Sequence, residues 1–377
     1  MFKFITGFSM LDLPHVIMIL VGLGFIFLAL YKKWEPYELL PIGCGMILAN
    51  LPFTGITTQP GPGVGPAQAG VLGILLKYGL YQWTLLPQFI FFCIGAMTDF
   101  SPLIANPRAF ILGAAAQLGI YFAFLGAVLL GFSIPEACSI GIIGGADGPT
   151  TIYTTGVLAP HILGITATAA YSYMAMVAII QPPIINLLTS PEERKIYMKP
   201  MLRPVSKLER VLFPIYTMII VVLLIPKSAP LVGMLMVGNL FRESGVVPRL
   251  TETAQNSLMN IITILLMLAI GASMPAEAVM HPRTLLVLLL GLLAFAFGTV
   301  GGVLMGKIYC KISKEPFNPM IGAAGVSAVP MAARIVQHLG QKENKQNFLL
   351  MHAMGPNVAG VIGSAIAGGY FLSLFMK

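Results

Sequence analysis

Asp147 is the residue best placed to do chemistry: an acid in GIIGGADGPTTIY, with long apolar runs on both sides. Only two other aspartates occur, Asp12 and Asp99. An aspartate in mid-membrane costs about 2.5–3.5 kcal/mol on insertion scales, so its presence there points to function. Gly144, Gly145 and Gly148 beside it let the backbone turn sharply and approach an ion. The competing reading is an Asx-turn cap at a surface. A second broken apolar run, NPMIGAAGVSAVPMAARIV (318–336), has no carboxylate but offers Asn318, Ser327 and the carbonyls around Gly322 and Gly325. Asn357 follows in MHAMGPNVAGVIGS. One carboxylate among amide, hydroxyl and carbonyl oxygens suits a small hard cation, and a single charge favours a monovalent ion over calcium. Na+ and H+ both meet that description. Taken singly, each Asn or Ser reads equally well as a helix cap or an interhelical hydrogen bond. Tyr173, in AYSYMAMV, either packs as an aromatic or lends its phenol to a cation or proton. Arg334 either anchors a helix end or holds an anionic substrate. Asp99 reads as a loop cap and His352 as an ordinary polar helix residue.

Composition dictates where such residues sit. Of 377 residues, 57% are hydrophobic and 10% charged, against about 25% charged in soluble domains. So few charges cannot cover a water-facing surface, and most of the surface must face a lipid bilayer. The net charge of +8 comes from Lys and Arg clustered in short loops, the positive-inside pattern rather than a nucleic-acid surface. Cys44, Cys93, Cys138 and Cys310 have no metal-ligand spacing and read as packing residues. Lys32 and Lys33 follow the first apolar stretch without a small-residue cleavage site, so that stretch reads as a span. No nucleophilic triad, Walker loop or zinc motif is visible, which argues against an autonomous ATP-driven pump.

A bilayer core needs roughly 20 apolar residues of helix. Runs near 13–31, 83–98, 108–132, 160–188, 211–226, 258–274, 284–308 and 347–374 qualify, and 38–51 and 229–241 are shorter. The Gly/Pro stretch 52–70 cannot be helical. The runs 139–153 and 318–336 are broken by Gly and Pro, and irregular backbone survives in a membrane only under a cover of protein or beside a cavity. Three echoes recur in the same order: 39–51 in 228–240, 93–108 in 269–283, and 141–150 in 322–331. They imply an internal duplication. The expected fold is an all-α polytopic membrane protein of two units, each with about five crossings and one re-entrant or broken segment. The first unit spans 1–190 with its break at 139–158; the second spans 211–377 with its break at 318–340. Between them runs the basic linker 191–210, expected in the cytoplasm together with Lys307, Lys311, Lys314, Lys342 and Lys345. An odd number of crossings per unit makes the units inverted copies, and such folds bind their cargo where the breaks meet near the midplane.

KKWEPYELLPIG (32–43), IGAMTDFSPLIANP (94–107), GIIGGADGPTTIY (141–153), GAAGVSAVPMAARIVQ (322–337) and MHAMGPNVAGVIGSAIAGG (351–369) resemble the beta subunits of sodium-translocating biotin-dependent decarboxylases. That family includes the oxaloacetate, methylmalonyl-CoA and glutaconyl-CoA enzymes, and the resemblance covers essentially the whole chain. It implies a membrane subunit that decarboxylates carboxybiotin, consumes a proton and exports Na+. It implies as partners a biotin carrier protein, a carboxyltransferase subunit and a small membrane subunit, in the inner (plasma) membrane and with possible homo-oligomers. The family's functional residues fall on Asp147, Tyr173, Asn318, Gly322, Ser327, Arg334 and Asn357. The resulting expectation is Na+ at Asp147, Asn318 and Asn357, with Gly322, Ser327 and Tyr173 at the same or a second site. Carboxybiotin is expected near Arg334, and proton delivery by Tyr173 or Ser327. A sodium-coupled carboxylate carrier working without a biotin partner is the rival, distinguished by whether the chain copurifies with a biotinylated protein.

Overall fold

In a computed structural model, the chain is described over residues 7–65, 67–199, 203–276, 282–313 and 316–375. Residues 200–202 of the basic linker, 277–281 of the second echo, and Lys314 lie outside them. All regular structure among the described residues is helical, with no strand beyond one isolated bridge, Gly61 to Val64. Among the described residues five helices are long and apolar enough to cross a membrane: α1 (Leu13–Lys32), α5 (Ala109–Leu129), α12 (Pro248–Ala272), α13 (Pro282–Ile312) and α15 (Leu350–Ser373). Two bent pairs add up to two more, α3 (Val71–Gln82) with α4 (Leu85–Met97) at 73° and α8 (Pro160–Ala175) with α9 (Val177–Leu188) at 64°. The sequence had suggested single spans over 83–98 and 160–188. In the second case the chain bends at Met176, where α8 ends and α9 begins. Residues 51–65 and 67–70 form turns and irregular chain without helix.

The short helices are inside the bundle. α2 (Pro36–Ala49) is about 21 Å long at 1.5 Å per residue, and packs along α12. α11 (Met234–Ser244) packs in the same way along α4. These are two of the more extensive helix pairings among the described residues, and they are reciprocal. Asn50, ending α2, donates to the carbonyl of Met274 at 3.0 Å, just past α12. Asn239 of α11 donates to the carbonyl of Thr98 at 2.9 Å, just past α4. Two of the sequence echoes thus pack crosswise, each helix on the helix echoing its neighbour.

The interrupted segments lie deepest. The first comprises α6 (Ile134–Gly145), whose last turn is 3-10, and α7 (Gly148–Leu158). The second comprises a 3-10 segment, Pro319–Gly325, and α14 (Met331–Glu343). α13 runs beside both. At one crossing, Gly302 of α13 and Gly322 meet backbone to backbone, and a Cβ on either would collide with the other's carbonyl. Outside the bundle core, α10 (Lys207–Leu224) opens with the capping box Ser206–Glu209 and buries only Pro214.

Candidate functional site

The first interruption is built by one residue in an unusual conformation. Ala146 has a φ of +55°, which turns the chain between the 3-10 turn and α7. A left-handed conformation costs a non-glycine residue about 1–2 kcal/mol, and here it falls on Ala146 rather than on a neighbouring glycine. Asp147 then sits at the N-cap of α7, with Oδ1 accepting the Thr150 amide at 3.2 Å. Its own carbonyl accepts the Thr151 hydroxyl at 2.8 Å. The cap is buried, with Asp147 only 4% exposed, so the surface Asx-turn reading fails.

The second oxygen of Asp147 leads to the other interruption. Ser364 of α15 donates to Oδ2 at 2.6 Å, and Ser327 donates to Ser364 at 3.2 Å. The Ser327 amide in turn donates to the Gly145 carbonyl at 3.1 Å. The two broken segments therefore touch, and a hydroxyl chain Ser327–Ser364–Asp147 runs between them. Asn357 is fully buried two helical turns before Ser364, on the same face of α15. Its amide nitrogen donates to the carbonyls of Ala324 and Val326 at 3.0 and 2.7 Å, capping the frayed end of the 3-10 segment. Gln181 of α9 does the same for Ala323 at 3.0 Å.

Several oxygens here have no partner: Oδ1 of Asn357, Oε1 of Gln117 and Oγ1 of Thr150 are buried and accept no hydrogen bond. Gln117 belongs to the site because its Oε1 and the Ser364 Cβ both crowd Gly145, the former 3.5 Å from where a Cβ on that glycine would stand. Unpaired buried acceptors cost about 1–3 kcal/mol each, and a cation would relieve that penalty. Among the described residues no three His, Cys, Asp or Glu side chains converge as a metal cluster. The donor set is a single carboxylate among neutral oxygens, which fits a monovalent hard cation.

The remaining candidates make their contacts elsewhere. Asn318 donates to the carbonyls of Arg194 and Ile196 at 2.9 and 3.1 Å, and its Oδ1 accepts the Met320 amide. It fastens the start of the second broken segment to the basic linker. The Tyr173 hydroxyl donates to the Leu288 carbonyl of α13, and its ring packs near Gly291 and Ile143. Tyr171, two residues earlier and on the other side of α8, is the tyrosine whose ring lies against Gly148. Arg334 is exposed and lines a cavity of about 320 Å³ with Pro182, Ile335 and His338. Asp99 accepts the Ser101 amide at 2.9 Å, a loop cap as expected. Sequence reasoning missed Ser364, Gln117, Gln181 and Tyr171. Ser364 was within reach, seven residues after Asn357 and therefore on its face; Gln117 and Gln181 are lone amides in apolar runs.

A membrane-embedded helical bundle with two interrupted segments meeting at a buried carboxylate defines the class: an ion-translocating membrane protein. The chain belongs to the family described as the Na+-transporting oxaloacetate decarboxylase beta subunit, whose model matches residues 14–375. It is 54% identical to the methylmalonyl-CoA decarboxylase subunit beta of Propionigenium modestum, over 98% of this chain and 97% of that one. It is 53% identical to the glutaconyl-CoA decarboxylase subunit beta of Acidaminococcus fermentans, over 98% and 95%. To the oxaloacetate decarboxylase beta chain 2 of Salmonella typhi it is 48% identical, over 97% and 96%. These relatives are all named as subunits or chains of a larger enzyme.

Proposed function

We propose that this chain is the membrane subunit of a biotin-dependent decarboxylase, coupling the discharge of carboxybiotin to Na+ export. The carrying observation is the buried Asp147 carboxylate, joined through Ser364 to Ser327 where the two interrupted segments touch. Na+ is the cargo, and its ligands are drawn from Asp147 Oδ1 and Oδ2 and the unpaired oxygens of Asn357, Gln117 and Thr150. Ser327 and Ser364 form the proton wire to that carboxylate: a proton entering at Ser327 shifts along the two hydroxyls and displaces the cation from Asp147. Asn318 and Gly322 act as positioning residues, the first by tying its segment to the linker, the second by close packing on α13. Tyr173 holds α8 to α13, and Arg334 offers a cation to an anionic ligand at the membrane surface.

The chemistry brought by carboxybiotin is the loss of CO2 from its ring nitrogen, which takes up one proton in exchange. Moving one charge against 100 mV costs about 2.3 kcal/mol, which that reaction offsets. The partners in this reading are a biotin carrier protein, a carboxyltransferase and a small membrane subunit, with the linker 191–210 on the cytoplasmic side of the inner membrane. Two inverted units, 1–190 and 211–377, supply the alternating motion; the reciprocal packing of α2 on α12 and α4 on α11 supports that duplication. The test is Asp147→Asn in proteoliposomes reconstituted with the partner subunits. Loss of both Na+ uptake and carboxybiotin turnover, by at least a hundredfold, is expected. Normal coupled turnover in that variant would sink the assignment.

A further inference from the structure

The hydroxyls of α7 lie on two faces of the helix and meet different fates. Thr151 and Thr155, one turn apart, are engaged: the first donates to the Asp147 carbonyl at 2.8 Å, and the second accepts from Thr166 of α8 at 3.3 Å. Thr150 and Thr154 form the adjacent pair and are equally buried, at 0% exposure. Neither of their Oγ1 atoms has a hydrogen-bond partner among the described residues. A helical threonine ordinarily settles its hydroxyl on the carbonyl four residues earlier or on a neighbouring helix. A buried polar atom left bare in a folded protein calls for a water, an ion or a functional use. Here two follow each other on one face, about 6 Å apart along the axis. The wall opposite is α15. Ser364, which donates to Asp147 Oδ2 at 2.6 Å, is followed one turn later by Gly368. A Cβ at Gly368 would stand 2.8 Å from Thr154 Oγ1 and 2.9 Å from the Thr150 methyl. The next residue, Gly369, packs on Ser228 in the turn that follows α10. The seam between α7 and α15 thus leads from Asp147 past both bare hydroxyls toward the end of α10.

We propose, on the Na+-export reading above, that this seam is a half-path for the cargo ion and that Thr154 is a station on it. Na+ passing to or from Asp147 rests there on a neutral hydroxyl. A hard cation takes oxygen ligands, and a conducting site must hold the ion firmly enough to admit it and weakly enough to release it. A second carboxylate would fail the latter condition; a hydroxyl meets both. Thr151 would have to give up its bond to the Asp147 carbonyl to serve an ion, whereas Thr150 and Thr154 have no bond to give up. The absent side chain at Gly368 keeps the α15 wall clear of the Thr154 hydroxyl. The seam is closed in this structure, with Leu231 reaching within 3.6 Å of the same Gly368 position, so passage requires α15 to shift against α7.

The test uses the full chain in proteoliposomes with its partner subunits. Thr154→Val keeps the shape and removes a hydroxyl that bonds nothing, so its unfolding temperature should equal or exceed the parent's. Its maximal rate of Na+ transport should nonetheless fall by about tenfold or more, the scale of one lost polar contact to a charge. The Na+ concentration for half-maximal rate should stay within about twofold, because Asp147 is untouched. Thr154→Ser, which restores the hydroxyl, should recover most of the rate. Gly368→Ala, which plugs the gap from the opposite wall, should repeat the valine pattern, and Thr155→Val, on the satisfied face, should transport normally. During turnover, Thr154→Cys should react with the small cationic reagent 2-aminoethyl methanethiosulfonate above the background of the four native cysteines, and excess Na+ should slow that reaction. This reads the path even where the valine variant fails to fold. A parental rate in Thr154→Val or Gly368→Ala, a serine variant as slow as the valine one, an equal loss in Thr155→Val, or an unreactive Thr154→Cys overturns the proposal. Asp147→Asn separates the two readings. Coupled turnover surviving in that variant removes the Na+-export reading itself; its loss there, with Thr154→Val silent, removes only the path through Thr154.

Discussion

The two interrupted segments solve one problem in opposite ways. Breaking a helix inside a membrane frees backbone groups that no water can satisfy. The first break caps its own new helix, with Asp147 accepting the amide of Thr150 and Thr151 returning a hydroxyl to the Asp147 carbonyl, while the Gly145 carbonyl takes the Ser327 amide. The second break has no capping side chain at the start of α14, where Pro330 stands. Its carbonyls at Ala323, Ala324 and Val326 instead borrow donors from Gln181 and Asn357 on other helices. The first segment therefore carries its charge with it, whereas the second is held in shape by its neighbours. An element of the second kind depends on Gln181 and Asn357 for its shape, so substitutions there should disturb it more than the first break.

That contrast can be broken experimentally. The largest loss of stability is expected for Asn357→Leu, which strips the donors from two buried carbonyls, each left bare at about 1–3 kcal/mol. Thermal unfolding in detergent measures it, and the loss should exceed that of Asp147→Ala. The latter removes one helix cap, worth about 0.5–2 kcal/mol, although it abolishes transport; the reverse order would dissolve the distinction. Ser364→Ala severs the side-chain hydrogen-bond path from Ser327 to Asp147 that links the breaks. A hydrogen bond to a charged group is worth about 1.5–3 kcal/mol, so Na+ affinity and coupling should change by roughly 10–100-fold with the fold intact. Counterflow of labelled Na+ would read this.

The smallest effect lies outside both breaks, in the capping turn that opens α10 ahead of its apolar run. Arg203 beside Glu209, with the amide of Ser206, holds that exposed carboxyl down to about 2. A carboxyl depressed in the folded state stabilises above its unfolded value near 4.5 and loses that contribution as pH falls through about 2. Glu209→Gln should therefore differ slightly from the parent at pH 7 and not at pH 2. An unfolding series across that range checks it, with no change in transport at pH 7.

Much of this was legible in the residues. Low charge, long apolar runs and two Gly/Pro-broken stretches settle a membrane bundle with interrupted segments, and an acid among glycines marks Asp147. Less legible was which polar residue meets which. Tyr171 and Tyr173 are near neighbours in sequence but face opposite sides of α8, and only packing decides that the first approaches Gly148. Asn318 and Asn357 both read as oxygen donors; one fastens the linker and the other caps the second break.

By itself the sequence determined where the chain is apolar, where its helices must stop and which acid has no water to face, because those follow from composition and local spacing. The tertiary structure alone decided that Ser364, from the last helix, bridges an acid 217 residues away to Ser327. Such a bridge depends on the register and rotation of separately formed helices, which packing sets and no short stretch of residues encodes.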